Sequence, residues 1–357
     1  MIARPSKRTG LIAGGVVAVL AVAGVSAITL SGNGSKKKPV AAVSSSSATP
    51  TPTPTPTPST KPAPVVPAAV NYLNGIGAPS RTATVAVKID DTENGRPSVG
   101  LDQADIVYIE QAEGGLTRLL AVFGTKLPTV EPVRSTRASD AELLSQYGKI
   151  SLVASGGGGD SLPTLDRSVV KGIINDRGGP GFSRDNNRPA PYNLSSDLSQ
   201  VAAAAKTAAA KNVGFNWSAK DSRLAKARAG TSVNTVVGGT PVTFSWSAAK
   251  KRYVRTIGGS ALLLANGNAV STPNVLVQFC RVATDYTDVD VAGNPSQFTH
   301  SVGSGLVVLF RDGKRISGKW SRPTEASPTT YTDLAGKPLT LALGGAYVVL
   351  ATNGAPV

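Results

Sequence analysis

Acidic residues are missing from the first seventy positions of this 357-residue chain, and cysteine and histidine occur once each, as Cys280 and His300. A single cysteine rules out an intrachain disulfide, so the fold must stand on its own core. One cysteine with one histidine also rules out a zinc centre of the His/Cys type. Aromatic residues are few and nowhere interleave with a basic cluster, which removes the usual signature of a nucleic-acid surface. The formal charge of +15 is no counter-argument: the acid-free segment holds seven lysines and arginines, leaving +8 for the rest. No nucleic-acid partner is expected.

Motifs for familiar chemistry are incomplete as well. Gly156 to Gly159 follow a strand pattern but lack the Lys-[Ser/Thr] of a phosphate-binding loop, so a connecting loop is expected, with a sugar or wall phosphate as the open alternative. Gly303-Ser304-Gly305 lies near His300, yet it is not the G-x-S-x-G elbow and no acid is in place to orient the base. An oxygen-rich divalent-ion site at Asp90, Asp91 and Asp105 stays open as an alternative, but no metal ligand set and no cofactor is called for.

What the acid-free segment does contain is ordered in three parts. A basic tip, residues 1–10, carries Arg4, Lys7 and Arg8. Leu11 to Leu30 follow without a charge, long enough at 1.5 Å per residue to cross a hydrocarbon core of about 30 Å. We read residues 11–30 as a single-pass transmembrane signal anchor with the tip cytoplasmic; the alternative is a signal peptide cleaved after Ala27, giving a secreted form. Lipid attachment at the end of the run is excluded, because the cysteine it needs is absent. Residues 31–70 hold Ser44 to Ser47 and five Thr-Pro pairs from Thr49 to Pro58. Such a disordered, proline-rich stalk has nothing apolar to bury and favours an extended polyproline form reaching on the order of 100 Å. Its hydroxyls make O-glycosylation a compositional possibility. Lys36 to Lys38 nearly balance the tip, so the stalk, rather than charge, points the following domains out of the cell.

The remainder reads as α+β. A mixed α/β domain is expected over residues 71–212: a strand at Thr84 to Ile89, a hairpin of Asp105 to Ala112 and Leu116 to Phe123 around a two-residue Gly114-Gly115 turn, a helix capped at Ser139, a strand at Ile150 to Ala154, and an Ala-rich helix from Ser196 to about Lys211. After a linker at 213–230, residues 231–357 form a succession of short strands, read as a mostly antiparallel β domain. Cys280 lies in an apolar strand and is expected in the core, as are Trp217, Trp246 and Trp320.

Val85 to Asp90, Arg96-Pro97, Ala104 to Tyr108, Glu113 to Arg118, Pro132 to Arg137 and Phe182 to Leu194, together with Val302 to Gly305 and Phe310 to Gly313, resemble the bacterial YerB-like family, extracytoplasmic and often lipoprotein, of unknown function. The resemblance covers most of residues 80–350 and implies N-terminal and C-terminal YerB-type domains. Many members of that family carry Glu where Ile109 stands and His where Tyr192 stands.

The expected site is polar. With a two-residue turn, Glu113 and Arg118 become diagonal neighbours on one face of the hairpin and Glu110 points to the other. Arg134 and Arg137 extend this patch, and Asp140, Arg184, Asp185 and Asn193 complete the candidate binding residues. Such a cluster grips a carboxylate, phosphate or sugar, or else forms a structural ion network. The expected function is an envelope binding module whose partners are the membrane, through the anchor, and an anionic wall polymer or envelope protein. The alternative is a hydrolase or transferase acting on wall glycan or phosphorylated polymer, with Glu113 or Asp140 as acid or base.

Overall fold

Runs of β-branched residues bounded by Gly, Pro and Asp set the strands, and their period of two decides which side chains share a face. The computed structural model describes residues 70–290 and 293–357. The tip, the hydrophobic run and the stalk as far as residue 69 lie outside the described residues, and so do the anchor and cleavage readings placed on them. Among the described residues no helix is long and apolar enough to cross a membrane.

In the N-terminal half, β1 (Val85–Asp90), β2 (Ile106–Gln111), β3 (Thr117–Phe123), β4 (Ser151–Ala154) and β5 (Lys171–Ile174) carry the sheet. The helices are α1 (Ala138–Leu144), α2 (Ser161–Arg167) and α3 (Leu198–Ala205). Short as they are, they make the chain mostly β, which trims the expected mixed α/β character of this half. The C-terminal half supplies β6 (Arg228–Ala229), β7 (Ser232–Val237), β8 (Thr240–Ser247), β9 (Arg252–Ile257), β10 (Asn274–Cys280), β11 (Val282–Val289), β12 (Pro295–Thr299), β13 (Gly303–Arg311), β14 (Lys314–Arg322), β15 (Thr330–Asp333) and β16 (Ala346–Thr352).

One sheet of eleven strands runs through both halves in the order β6-β14-β13-β10-β16-β2-β3-β1-β4-β5, with β15 paired to β14. The seam is β16, which pairs in parallel with β10 on one side and β2 on the other, Ile106 opposite Ala346 and Ile109 opposite Val349. The C-terminal half is therefore not purely antiparallel. Gly345 makes the seam possible: it has φ +91° and a Cβ there would lie 2.2 Å from the Asp105 carbonyl oxygen, a conformation and a space that only glycine accepts.

The sheet is covered on both faces. Val87, Ile89, Ile109, Leu119 and Phe123 meet α3 and Val233, Val242 and Phe244 of the smaller sheet built on β7, β8 and β9. Ala86, Tyr108, Leu120 and Val122 meet Ala141, Leu144 and Tyr147 on the α1 side, together with Trp320, Leu339 and Leu341. Cys280 and Trp320 are buried as expected, whereas Trp217 and Trp246 are half-buried. Burial pushes the Cys280 thiol up to about 12. The 213–230 segment is packed: Val213 and Phe215 are buried, and Asn216–Trp217 pair with Thr340–Leu341.

Two local expectations are corrected. Asp197, not Ser196, caps α3 through the backbone N–H groups of Ser199 and Gln200, at 2.9 and 3.2 Å. The helix also stops at Ala205, because the alanines beyond it hydrogen-bond across the fold. Ala208 donates to the Lys149 carbonyl and accepts from the Thr84 N–H, and these tertiary bonds override helix propensity. The second correction is the hairpin. Gln111 pairs with Thr117 and Glu110 with Arg118, so five residues, with a 3₁₀ turn at Glu113–Gly115, replace the two-residue turn.

Candidate functional site

That register puts Glu110 and Arg118 on one face, with Lys88 and Asp90 of β1 beside them, since Asp90 pairs with Arg118 across β1 and β3. The charged end of this face is left partly open beyond α1. Three arginines converge there. Arg137 clamps Glu113 through Nε and Nη2, and its Nη1 donates to the Thr136 carbonyl at 2.8 Å. Arg134 pairs with Asp90, its guanidinium 5.2 Å from the centre of the Tyr192 ring. Arg118 is only 8% exposed, lies 3.8 Å from Asp90, and has two buried nitrogens, Nε and Nη1, without a hydrogen-bond partner.

Arg118 is the anomaly of the site. Buried guanidinium groups are normally paired and hydrogen-bonded, because desolvating a charge costs several kcal/mol. Burial, then the like charges of Arg134 and Arg137, pull Arg118 down to about 10. Its one close carboxylate is already engaged by Arg134.

These side chains line a cavity of about 360 Å³ with Thr92, Leu116, Ser135, Gly158, Tyr192, Asp288, Val289 and Asp290, within the roughly 300–1,000 Å³ of small-molecule sites. Both halves of the chain contribute. Asp288 lies at the end of β11 and Asp290 just beyond it, on a two-stranded arm with β12. Ser296 on β12 donates to Glu113 at 2.6 Å or to Asp288 at 3.0 Å, and Ser161 reaches Asp288 at 3.2 Å. Burial alone would raise Glu113, but the Arg137 hydrogen bonds and charge hold it down at about 2.

Behind the cavity lies a fully buried triad. Lys88 pairs with Glu110 and, at 2.8 Å, with Asp140, and Asp140 accepts from the Arg137 N–H and the Thr136 hydroxyl, each at 2.8 Å. The N-cap of α1 is thus Arg137 rather than the expected Ser139, with Asp140 in the third helical position reaching back to its N–H. Desolvation and then the Asp140 charge raise Glu110 to about 8. Burial also works against Asp140, but Lys88 keeps it below the usual carboxylate range.

Of the eight candidate residues, Glu113, Arg118, Arg134 and Arg137 line the cavity. Asp140 sits behind it. Arg184, Asp185 and Asn193 instead bond one another at the base of the 182–194 loop, Arg184 to Asn193 at 2.8 Å. That loop's contribution to the cavity is Tyr192. Glu113 and Arg118, expected as partners, are each paired elsewhere. Thr92, Ser135, Asp288 and Asp290 were not among the candidates, and no local motif marks them. Of the glycine loop, Gly158 lines the cavity, where a Cβ would lie 2.2 Å from Asp288 Oδ1. Asp90, Asp91 and Asp105 are engaged by Arg134, Arg255 and Asn74, respectively. Among the described residues no group of His, Cys, Asp and Glu is placed to hold a metal ion.

Residues 75–213 match the N-terminal domain, and residues 231–348 the C-terminal domain, of the family described as protein of unknown function DUF3048. The chain is 50% identical over 54 residues to YerB of Bacillus subtilis (strain 168), whose name marks it as a candidate lipoprotein; the match covers 15% of this chain and 16% of the relative's length. The crystal structure of the YerB protein from Bacillus subtilis shares the fold, with a TM-score of 0.63 at 20% identity, over 79% of this chain and 96% of that one.

Proposed function

The chain belongs to the YerB-like DUF3048 family, and from that premise we propose that it is a membrane-associated extracytoplasmic envelope protein that binds an anionic wall component at Arg118, Arg134 and Arg137. The observation that carries the binding reading is Arg118, a nearly buried charge with two unpartnered nitrogens in the wall of an open cavity. An anion entering there adds a counter-charge beside a guanidinium whose near carboxylate, Asp90, lies 3.8 Å away and is shared with Arg134, and is held by charge-assisted hydrogen bonds. Location is supported by the lipoprotein name of the Bacillus relative and by the uncharged run at 11–30, which is the proposed anchor. The hydrolase or transferase alternative fares worse. Glu113, held at about 2 by Arg137, makes a poor general base near neutrality, and Asp140 is sealed behind the cavity by Lys88.

Co-sedimentation of the purified full chain with isolated cell wall tests this. The wild type is expected to pellet with wall at low salt and to be released by high salt, because the attraction is ionic. Arg118→Met removes the poorly compensated charge while keeping an unbranched side chain, and retention is expected to fall by about 10-fold, the worth of one charge-assisted hydrogen bond. Equal retention of the folded variant overturns the assignment.

A further inference from the structure

The lining of the cavity speaks to more than the sign of the ligand's charge. A carboxylate offers two coplanar oxygens that one guanidinium satisfies, whereas a phosphate offers a tetrahedron of oxygens suited to donors from several directions. Here donors reach the cavity from two segments, Arg118 on β3 and Arg134 with Ser135 before α1. Asp288 and Asp290 line the same cavity, and carboxylates repel a phosphate. They suit another part of the ligand: as acceptors only they match hydroxyl donors, and Asp290, whose oxygens already take the Asn294 N–H groups, does so through its remaining lone pairs. Asp288 already accepts serine hydroxyls in this way, from Ser161 and Ser296. Tyr192 and the exposed Leu116 and Val289 add apolar surface at the rim, against which the C–H face of a sugar or polyol packs. The volume, about 360 Å³, is an order of magnitude above the ~30 Å³ share of one water, so a bare phosphate ion leaves most of it unfilled.

Building on the anion-binding reading above, we infer that the ligand is a phosphate ester of a polyhydroxylated group, a sugar or polyol. Its phosphate sits at Arg118 and Arg134 and its hydroxyls at Asp288 and Asp290.

The test is calorimetric titration of the purified full chain with methyl phosphate, glycerol 3-phosphate and glucose 1-phosphate. At least one hydroxylated ester is expected to bind about 10-fold or more tighter than methyl phosphate, the worth of one or two hydrogen bonds to a charged acceptor. Combining Asp288→Asn with Asp290→Ala is expected to erase that preference, the three esters then binding alike. Equal affinity for all three esters in the wild type overturns the inference and leaves anion binding standing. A preference that survives the double variant overturns the role given to the two carboxylates. No measurable binding of any ester overturns the anion-binding reading itself.

Discussion

Arg118 sits where stability and binding pull in opposite directions. Replacing a poorly compensated buried ion by an apolar side chain of similar length is often neutral or stabilising, by about 1–4 kcal/mol. The variant Arg118→Met that loses wall retention is therefore expected to melt at or above the wild-type temperature, as read by thermal denaturation. A lowered melting temperature would mean that Arg118 holds the fold together. The sequence exposed the arginines at this scale, because Arg118 opens the second strand of a hairpin and Arg134 and Arg137 fall in the loop that follows. It did not expose their partners. Glu113 finds Arg137, and Arg134 finds Asp90, because pairing depends on how the 132–137 loop crosses the strand ends, which no local spacing encodes.

At the scale of elements, a single step of register separates expectation from structure. Assuming a two-residue turn set Gln111 opposite Arg118; the five-residue loop sets Glu110 there. A one-residue slip turns every side chain of a strand to the other face, which is why the Lys88–Glu110–Asp140 triad was invisible from sequence. The triad ties β1, β2 and α1 together, and its titration is readable. Glu110 is raised from 4.5 to about 8 by burial and by Asp140, so the folded state keeps a proton that the unfolded chain releases above about pH 4.5. Its contribution to stability is fully present below that value, declines as pH rises towards 8, and is flat beyond. Other groups titrate in the same window, so the difference between wild type and Glu110→Gln is the informative quantity. In urea unfolding at pH 5 to 9, the variant is expected to gain on the wild type as pH rises, levelling off above about 8. A constant difference across that range would show that Glu110 does not hold the proton.

Across the whole molecule, composition marked a boundary near 213–230 and the family domains meet there, yet the hydrogen bonding runs straight through. β16 fills the place between β10 and β2, some 240 positions after β2 in sequence, a pairing that periodicity cannot reveal. Arg255 of β9 reaches back to Asp91 with two bonds of 2.8 and 2.6 Å, both side chains almost fully buried. Arg322 of β14 donates to the Glu142 carbonyl, and the cavity takes residues from both halves. Either half by itself would bare the β2 or β16 edge, and the C-terminal half would keep Arg255 as an unpaired buried charge, a loss of about 3–5 kcal/mol, while Asp91 would retain Arg96 at 3.5 Å and the Thr117 hydroxyl. The two halves are therefore expected to unfold as one unit. Trp217, Trp246 and Trp320 all lie beyond residue 212, so fluorescence reports the C-terminal half, while hydrogen exchange of peptides covering β1 and β3 reports the N-terminal half. In urea the two signals should share one midpoint, and Asp91→Ala should shift both together. Separate midpoints, or a shift confined to one half, would show that the shared sheet does not couple the domains. In that case a ligand bridging arginines of one half and carboxylates of the other would itself have to bring them into register.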